Sequence, residues 1–151
     1  MHKLRIYVDT SVVGGCYDDE FRLPSRALFQ MVKENRIVVL VSLILVDELM
    51  RAPTAVQKVL EELPLDALER VELTAEASDL QRAYLKARVV GAEHGNDALH
   101  VALATVARAD LIVSWNFRHI VHFDRIRGFN AVNLKEGYLP IEIRSPREVV
   151  P

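Results

Sequence analysis

Four oxygen-bearing side chains at the edges of apolar segments form the best candidate for a chemical site. Asp9 and Glu48 each follow an apolar run. Asp97 opens an Ala-rich stretch, and Asn116 follows a further apolar run. Folding buries such runs, so groups at their ends gather around a common core. Carboxylates gathered there repel one another and lose water unless a cation binds between them. Because oxygen ligands suit hard divalent cations, the pattern predicts a Mg²⁺ or Mn²⁺ site.

Each of these residues also has an ordinary structural interpretation. Asp9 is of a type that caps helices, and an acid at Asp97 is stabilised by the helix dipole and free N–H groups. Glu48 adjoins Asp47, and adjacent helical residues point about 100° apart, so one of the pair faces solvent. Asn116 suits a turn. The order of the four residues along the chain, rather than any one of them, favours a site.

Strands and helices must alternate to position these groups. The predicted strands are Leu4–Val8, Ile37–Val41, Val71–Leu73, Leu111–Ser114, Ala131–Leu134 and a terminal edge strand at Ile141–Ile143. The predicted helices are Pro24–Glu34, a short helix from Ser42 to Met50, Thr54 to about Leu63, Ala75 to about Arg88, and Asp97–Arg108. Their predicted N-terminal caps are Ser42 for the short helix, a capping box that begins at Thr54, Thr74 for the helix from Ala75, and Asn96 for the helix from Asp97.

This alternation indicates an α/β fold with a mostly parallel sheet. Ligands bind beyond the carboxyl ends of the strands in such sheets. Asp9, the helix start after Ser42, and Asn116 all lie at such ends. The topology therefore predicts one shared site.

Length and composition narrow the class of protein. The 151 residues fit a single domain over 1–151, at roughly 100–200 residues per domain. The single cysteine, Cys16, excludes an internal disulfide and suits a reducing, cytoplasmic compartment. The longest apolar stretch of the chain is too short for a membrane span, which needs about 20 residues. A net charge of −2 argues against a protein that coats nucleic acid nonspecifically.

The ordered motifs resemble those of the PIN domain family, and most of all its VapC-type toxins. They are Asp9-Thr10-Ser11, Glu48, Asp97-Ala98-Leu99-His100-Val101-Ala102 and Ser114-Trp115-Asn116, and the resemblance runs from Ile6 to about Asn133. It implies a three-layer α/β/α fold, a Mg²⁺- or Mn²⁺-dependent endoribonuclease, frequent homodimers and an antitoxin partner.

The resemblance also assigns roles. The family's three acidic metal positions fall on Asp9, Glu48 and Asp97, and its fourth falls on Asn116, whose amide removes one negative charge. We therefore expect a second ion to bind more weakly. Supporting or substrate-contacting roles are expected for Thr10, Ser11, His100, Ser114 and Arg118.

A basic and aromatic segment is the candidate RNA surface. It contains Phe117, Arg118, His119, His122, Phe123, Arg125 and Arg127. Arginines hold phosphates and aromatic rings stack on unpaired bases. The competing interpretation is a solvated turn and helix whose side chains share no face.

Two other functions remain open. A non-cleaving PIN-like module that binds RNA or protein is favoured by the amide at Asn116. A metal phosphatase on a similar scaffold is disfavoured, because Ser11 stands where a second Asp is needed after Asp9.

Overall fold

A single parallel sheet organises the protein, whose computed structural model describes residues 2–151. The strands are Leu4–Val8 (β1), Ile37–Ser42 (β2), Leu68–Val71 (β3), Leu111–Val113 (β4) and Glu142–Arg144 (β5). They lie in the order β3-β2-β1-β4-β5, and every neighbouring pair is parallel. The chain crosses from one side of β1 to the other between β3 and β4. The carboxyl ends of β1, β2 and β4 consequently meet at one edge of the sheet.

Seven helices in residues 2–151 cover the two faces of this sheet. They are Thr10–Gly15 (α1), Arg22–Lys33 (α2), Leu43–Leu49 (α3), Thr54–Glu61 (α4), Ala75–Lys86 (α5), Gly95–Val106 (α6) and Phe123–Lys135 (α7). Short 3-10 turns lie at Leu65–Ala67, Ala92–His94 and Pro146–Glu148.

Two hydrophobic cores lie on opposite faces of the sheet. Alternate residues of β1 divide between them, with Tyr7 in the core under α5, α6 and α7, and Ile6 and Val8 in the core under α1 and α2. Helix α6 is buried along most of its length, as its Ala-rich sequence predicts. The predicted three-layer α/β/α fold is thus confirmed.

Some local predictions were wrong. The segment Ala131–Leu134 lies inside helix α7 and is not a strand. Helix α6 begins at Gly95, so Asn96 lies inside its first turn rather than at the cap. The side chain of Thr54 forms no cap, because Pro53 occupies the cap position of α4. The short strand expected at Val71–Leu73 lies earlier, as β3.

Other predictions agree with the structure. Ser42 and Thr74 cap α3 and α5 by accepting N–H groups from Leu45 and Ala77. The last strand, β5, is an edge strand as expected. No helix within residues 2–151 combines the length and the apolar character that a membrane crossing requires.

Candidate functional site

Asp9 is a buried carboxylate held by neutral hydrogen-bond donors. It follows β1 and caps α1. Its Oδ1 accepts from the Ser11 hydroxyl at 2.6 Å and from Val12 N–H at 3.3 Å, while its Oδ2 accepts from the Ser114 hydroxyl at 2.6 Å. Burial raises the pKa of Asp9, and the charge of His100 and these hydrogen bonds oppose that rise. Asp9 forms no salt bridge with residues 2–151, so its charge lacks direct neutralisation.

The two serines tie the end of β4 to the end of β1. Ser11 Oγ accepts from the backbone N–H of Trp115 at 2.9 Å. Ser114 Oγ accepts from the backbone N–H of Asn116 at 2.9 Å. The indole of Trp115 in turn donates to Ser25 at 2.8 Å within the core. The hydroxyls around Asp9 are therefore fixed by their own partners.

Glu48 lies in α3 and is paired with a histidine. Its Oε1 accepts from the Thr10 hydroxyl at 2.9 Å and contacts Nε2 of His100 at 2.5 Å. Partial burial acts to raise the pKa of Glu48, but the hydrogen bond and charge of His100 outweigh it, and the pKa lies below its usual value. Glu48 is consequently held as a carboxylate.

A chain of hydrogen bonds fixes His100 from behind. Its Nδ1 lies 2.6 Å from the hydroxyl of Tyr7, which lies 2.8 Å from Ser42 Oγ. Ser42 also accepts from Leu45 N–H. His100 thus bridges the buried Tyr7–Ser42 pair and the Glu48 carboxylate. This bridge orients the Glu48 carboxylate through buried side chains.

Asp97 lies in the first turn of α6 with two histidines beside it. Its Oδ2 is 3.6 Å from Nδ1 of His94 and 3.8 Å from Nδ1 of His119. The two imidazole rings stack with centroids 3.5 Å apart. Burial and the neighbouring His94 lower the pKa of His119, while Asp97 opposes that effect. One donor atom from each of the three residues lies within 4.8 Å of the others, so together they offer two nitrogens and one oxygen to a metal ion.

Asn116 uses its amide oxygen inside a turn. The oxygen accepts backbone N–H groups from Arg118 at 3.2 Å and from His119 at 2.9 Å. These bonds occupy both lone pairs of the carbonyl oxygen. The turn interpretation of Asn116 therefore describes its contacts, and the side chain helps to set the position of His119.

These contacts, together with one turn of helix α6, form a closed ring at the carboxyl edge of the sheet. The ring runs through Asp9, Ser114, Asn116, His119, Asp97, His100, Glu48 and Thr10. Asp97 and His100 close it because residues three apart lie on the same face of a helix. The predicted acids thus lie along one edge of the sheet, but among residues 2–151 the carboxylate oxygens of Asp9, Glu48 and Asp97 do not form a group within 4.8 Å of one another.

The basic and aromatic segment divides between several environments. Arg125 donates to the backbone oxygen of Val89 at 2.8 Å, and His119 stacks on His94. Arg127 lies over the ring of the exposed Phe123. Arg118 is exposed next to the ring of contacts. Arg118 is therefore an exposed arginine of this segment that adjoins the turn formed by Asn116.

Sequence reasoning missed three contributors. The sequence indicates Tyr7 only as a strand residue and Ser42 only as a cap, yet both support His100. The local signal for His94 is only that it lies three residues before Asp97, the spacing that brings side chains together. No local signal pairs His94 with His119, because the loop after β4 brings them together.

Comparisons with known proteins agree with this fold. A family model with the description "PIN domain" matches residues 5–118. VapBC2 from Rickettsia felis, solved bound to a DNA fragment from their promoter, is similar with a TM-score of 0.59 and 17% identity, covering 94% of this chain and 98% of that one. DNA-bound VapBC from Salmonella typhimurium is similar with a TM-score of 0.57 and 20% identity, covering 95% and 98%. No curated protein sequence matches.

Proposed function

The chain belongs to the PIN domain family, and from that premise we propose that it is a divalent-metal-dependent endoribonuclease, the toxin of a toxin–antitoxin pair or a relative of one. Its proposed metal ligands are Asp9, Glu48 and Asp97. The proposed ion is Mg²⁺ or Mn²⁺, since these ions favour oxygen ligands.

The observation that carries the proposal is the state of Asp9. A carboxylate taken out of water is costly unless a counter-charge compensates it. Here hydroxyl and backbone donors hold the side chain in place, while burial raises its pKa. A bound cation would remove this cost. The donor set therefore fits a hard divalent ion.

The other residues of the ring have positioning roles in this proposal. Ser11 and Ser114 orient the Asp9 oxygens, and Thr10 and His100 orient Glu48. Glu48 keeps its second carboxylate oxygen, Oε2, outside the hydrogen bonds that Thr10 and His100 donate to Oε1.

Phosphodiester hydrolysis needs help because the substrate is anionic. A divalent ion supplies positive charge against the phosphate oxygens and makes water more acidic. The protein's own part is to hold three carboxylates in fixed positions, with Arg118 exposed at the rim to contact a neighbouring phosphate.

Single-stranded or loop RNA is the proposed substrate. The chain has a net charge of −2, and Arg125 and His119 are engaged within the protein. It therefore lacks the broad positive surface that grips a duplex.

The proposed partners follow from the similar structures. Both are VapBC assemblies, which supports an antitoxin protein as a partner of this chain. A homodimer and a cytoplasmic location are further parts of the proposal.

Cleavage assays test this function. Purified protein should cut single-stranded and loop RNA in Mn²⁺ and should cut duplex RNA more slowly. The cleavage rate of the Asp97→Asn variant should be at least about 100-fold lower, as expected when a catalytic charge is removed. Glu69→Gln, which alters an acid outside the ring of contacts, is the matched control and should cut normally. Activity that survives in Asp97→Asn would belong to a contaminant.

A non-cleaving RNA- or protein-binding module is the alternative. The amide at Asn116, whose oxygen is occupied by the turn, favours it. Absence of cutting on every substrate, together with calorimetric evidence of bound Mn²⁺, would support this alternative over the nuclease.

A further inference from the structure

We propose that His94, Asp97 and His119 form a second cation site, selective for Zn²⁺ or an ion of similar preference. This site shares Asp97 with the proposed Mg²⁺ or Mn²⁺ site but has its own histidine ligands. It does not depend on the nuclease activity, because ion binding there requires only these three side chains.

The spacing of the donor atoms is the first support. The separations of 3.6 Å and 3.8 Å between the Asp97 oxygen and the two Nδ1 atoms are too long for hydrogen bonds. A tetrahedral ion with ligands at about 2.0–2.1 Å holds its donor atoms roughly 3.3–3.4 Å apart. The Asp97 oxygen therefore lies within a few tenths of an ångström of the separation that a shared ion requires from each histidine nitrogen.

The type of donor sets the class of ion. Mg²⁺ prefers an all-oxygen shell, whereas neutral imidazole suits Zn²⁺ and related transition metals. Two histidines and one carboxylate, with a remaining position open to solvent, form a common zinc ligand set. Glu93 lies 3.5 Å from Nε2 of His94 and is positioned to orient that ring from its far side.

The surroundings allow the rings to adjust. The stacked rings are inclined by 24°, and an ion must lie near both ring planes, so binding requires them to tilt apart. The side chains of His94 and His119 are 29% and 20% exposed, which leaves space on the solvent side for this tilt. Arg118 and Arg125 oppose a cation here, and Asp97 and Glu93 favour it.

The site gives Asn116 a definite role. Its amide oxygen accepts from the backbone N–H of His119 and so fixes the turn that presents this imidazole to Asp97. The residue at the family's fourth acidic position would thus position a nitrogen ligand instead of supplying an oxygen ligand. Asn116 is therefore a positioning residue for this site.

Co²⁺ binding tests the proposal, because Co²⁺ replaces Zn²⁺ and its visible absorption reports nitrogen ligands and low coordination number. The full-length protein is titrated with Co²⁺, and Zn²⁺ affinity is measured by calorimetry. We expect one strong equivalent, displaced by Zn²⁺, and at least a tenfold loss of affinity in both His94→Ala and His119→Ala. His122→Asn is the matched control: it removes an imidazole from the same segment, keeps a residue suited to capping α7, and should bind as the parent does.

Asp9→Asn separates the two cation sites. We expect it to retain the Co²⁺ spectrum and Zn²⁺ affinity. Parent-like binding in both histidine-to-alanine variants would overturn the proposal, as would loss of the spectrum in Asp9→Asn alone. Circular dichroism of each variant establishes that it is folded. If Zn²⁺ binds as expected while RNA is not cut in Mg²⁺ or Mn²⁺, the nuclease proposal fails and this one stands.

Discussion

The acidic residues that lie near the two ends of strand β1 are in opposite settings. At the amino end, Arg5 forms an ion pair with Glu69, to which its Nε donates at 3.0 Å, and its backbone N–H donates to Asp110 at 2.7 Å. At the carboxyl end, Asp9 accepts from hydroxyl and backbone donors. Glu69 is thus neutralised by an arginine, whereas Asp9 has no ion-pair partner among residues 2–151.

The pKa values differ in the same sense. The hydrogen bond and charge of Arg5 hold the pKa of Glu69 below its usual value, against a smaller effect of burial. Burial raises the pKa of Asp9. The ion-paired carboxylate already has its counter-charge within the protein. A buried carboxylate that is only hydrogen-bonded is stabilised when an external cation binds to it. This contrast is a physical reason to assign binding to the carboxyl end.

Helix α6 connects the same two settings. Arg5 donates to the backbone oxygens of Ala107 and Arg108 at its carboxyl terminus, and Asp97 lies in its first turn. Each charge matches the helix dipole at its end. Helix α6 therefore has a side chain of matching charge at each of its ends.

Exchanging one acid at each end for its amide should give the largest difference. Saturating Mn²⁺ at about 100 times its Kd should stabilise the parent by about 2.7 kcal/mol. We expect Asp9→Asn to lose most of this gain and Glu69→Gln to keep it, because only Asp9 is a proposed ligand. Thermal unfolding with and without Mn²⁺ measures both. Equal metal-induced shifts in the two variants would remove the distinction between the ends of β1.

Removing the arginine should damage the amino end alone. Arg5→Ala leaves Glu69 without its cation and exposes two carbonyl oxygens of α6, so we expect a loss of about 1–2 kcal/mol in the free energy of unfolding. The gain from Mn²⁺ should be unchanged. Urea denaturation measures the loss, with the exposed Arg36→Ala as control, expected within about 0.5 kcal/mol of the parent. A loss of Mn²⁺ binding in Arg5→Ala would show that the two ends are coupled.

The pH dependence of stability should have opposite signs at the two ends when chelator keeps the protein free of metal. The folded pKa of Glu69 is lowered, so its contribution is present above its unfolded pKa of about 4.3 and is lost as pH falls through the folded value. The folded pKa of Asp9 is raised, so its ionisation costs stability at neutral pH, and this cost is relieved as pH falls through the folded value.

Melting temperatures between pH 3.5 and 7, a range of ordinary buffers around these carboxyl pKa values, check these signs. At pH 7 Asp9→Asn should melt at or above the parent, and Glu69→Gln below it. Both differences should shrink toward the acid end of the range. An Asp9→Asn variant that melts well below the parent at pH 7 without metal would mean that the hydrogen bonds of Asp9 outweigh its desolvation.

The alternating pattern of the sequence predicted most of the strands and helices around the site, because local features determine where these elements begin and end. Asp9 follows a short, mostly apolar run, and Ser42 has a side chain suited to the cap it forms. The strand prediction at Ala131–Leu134 was wrong because four residues are too few to distinguish the periodicity of a helix from that of a strand. Within α7, the buried residues Phe129, Val132 and Asn133 have helical spacing, which a longer window would have detected.

Contacts between distant elements could not be read from the sequence. Arg5 and Glu69 meet across the sheet, and His94 and His119 meet where two loops approach. Nothing in either local segment selects these partners. The sequence therefore showed where the acidic residues are, but whether each acid has a positively charged partner depended on strand order and loop geometry.

The smallest predicted effect concerns the turn at Asn116. Asn116→Ala removes the acceptor for two backbone N–H groups, a capping loss of about 1 kcal/mol, so the imidazole of His119 should be held less firmly and Zn²⁺ affinity should fall about fivefold. Asn116→Asp keeps the acceptor and should restore affinity to within about twofold of the parent. Calorimetric titration with Zn²⁺ and with Mn²⁺ compares the three proteins. Because the oxygen is already occupied by the turn, Asn116→Asp should change the Mn²⁺ affinity little. A large gain in Mn²⁺ affinity would instead identify position 116 as a direct metal ligand, and it would indicate that the second ion binds to oxygen ligands rather than to the two histidines.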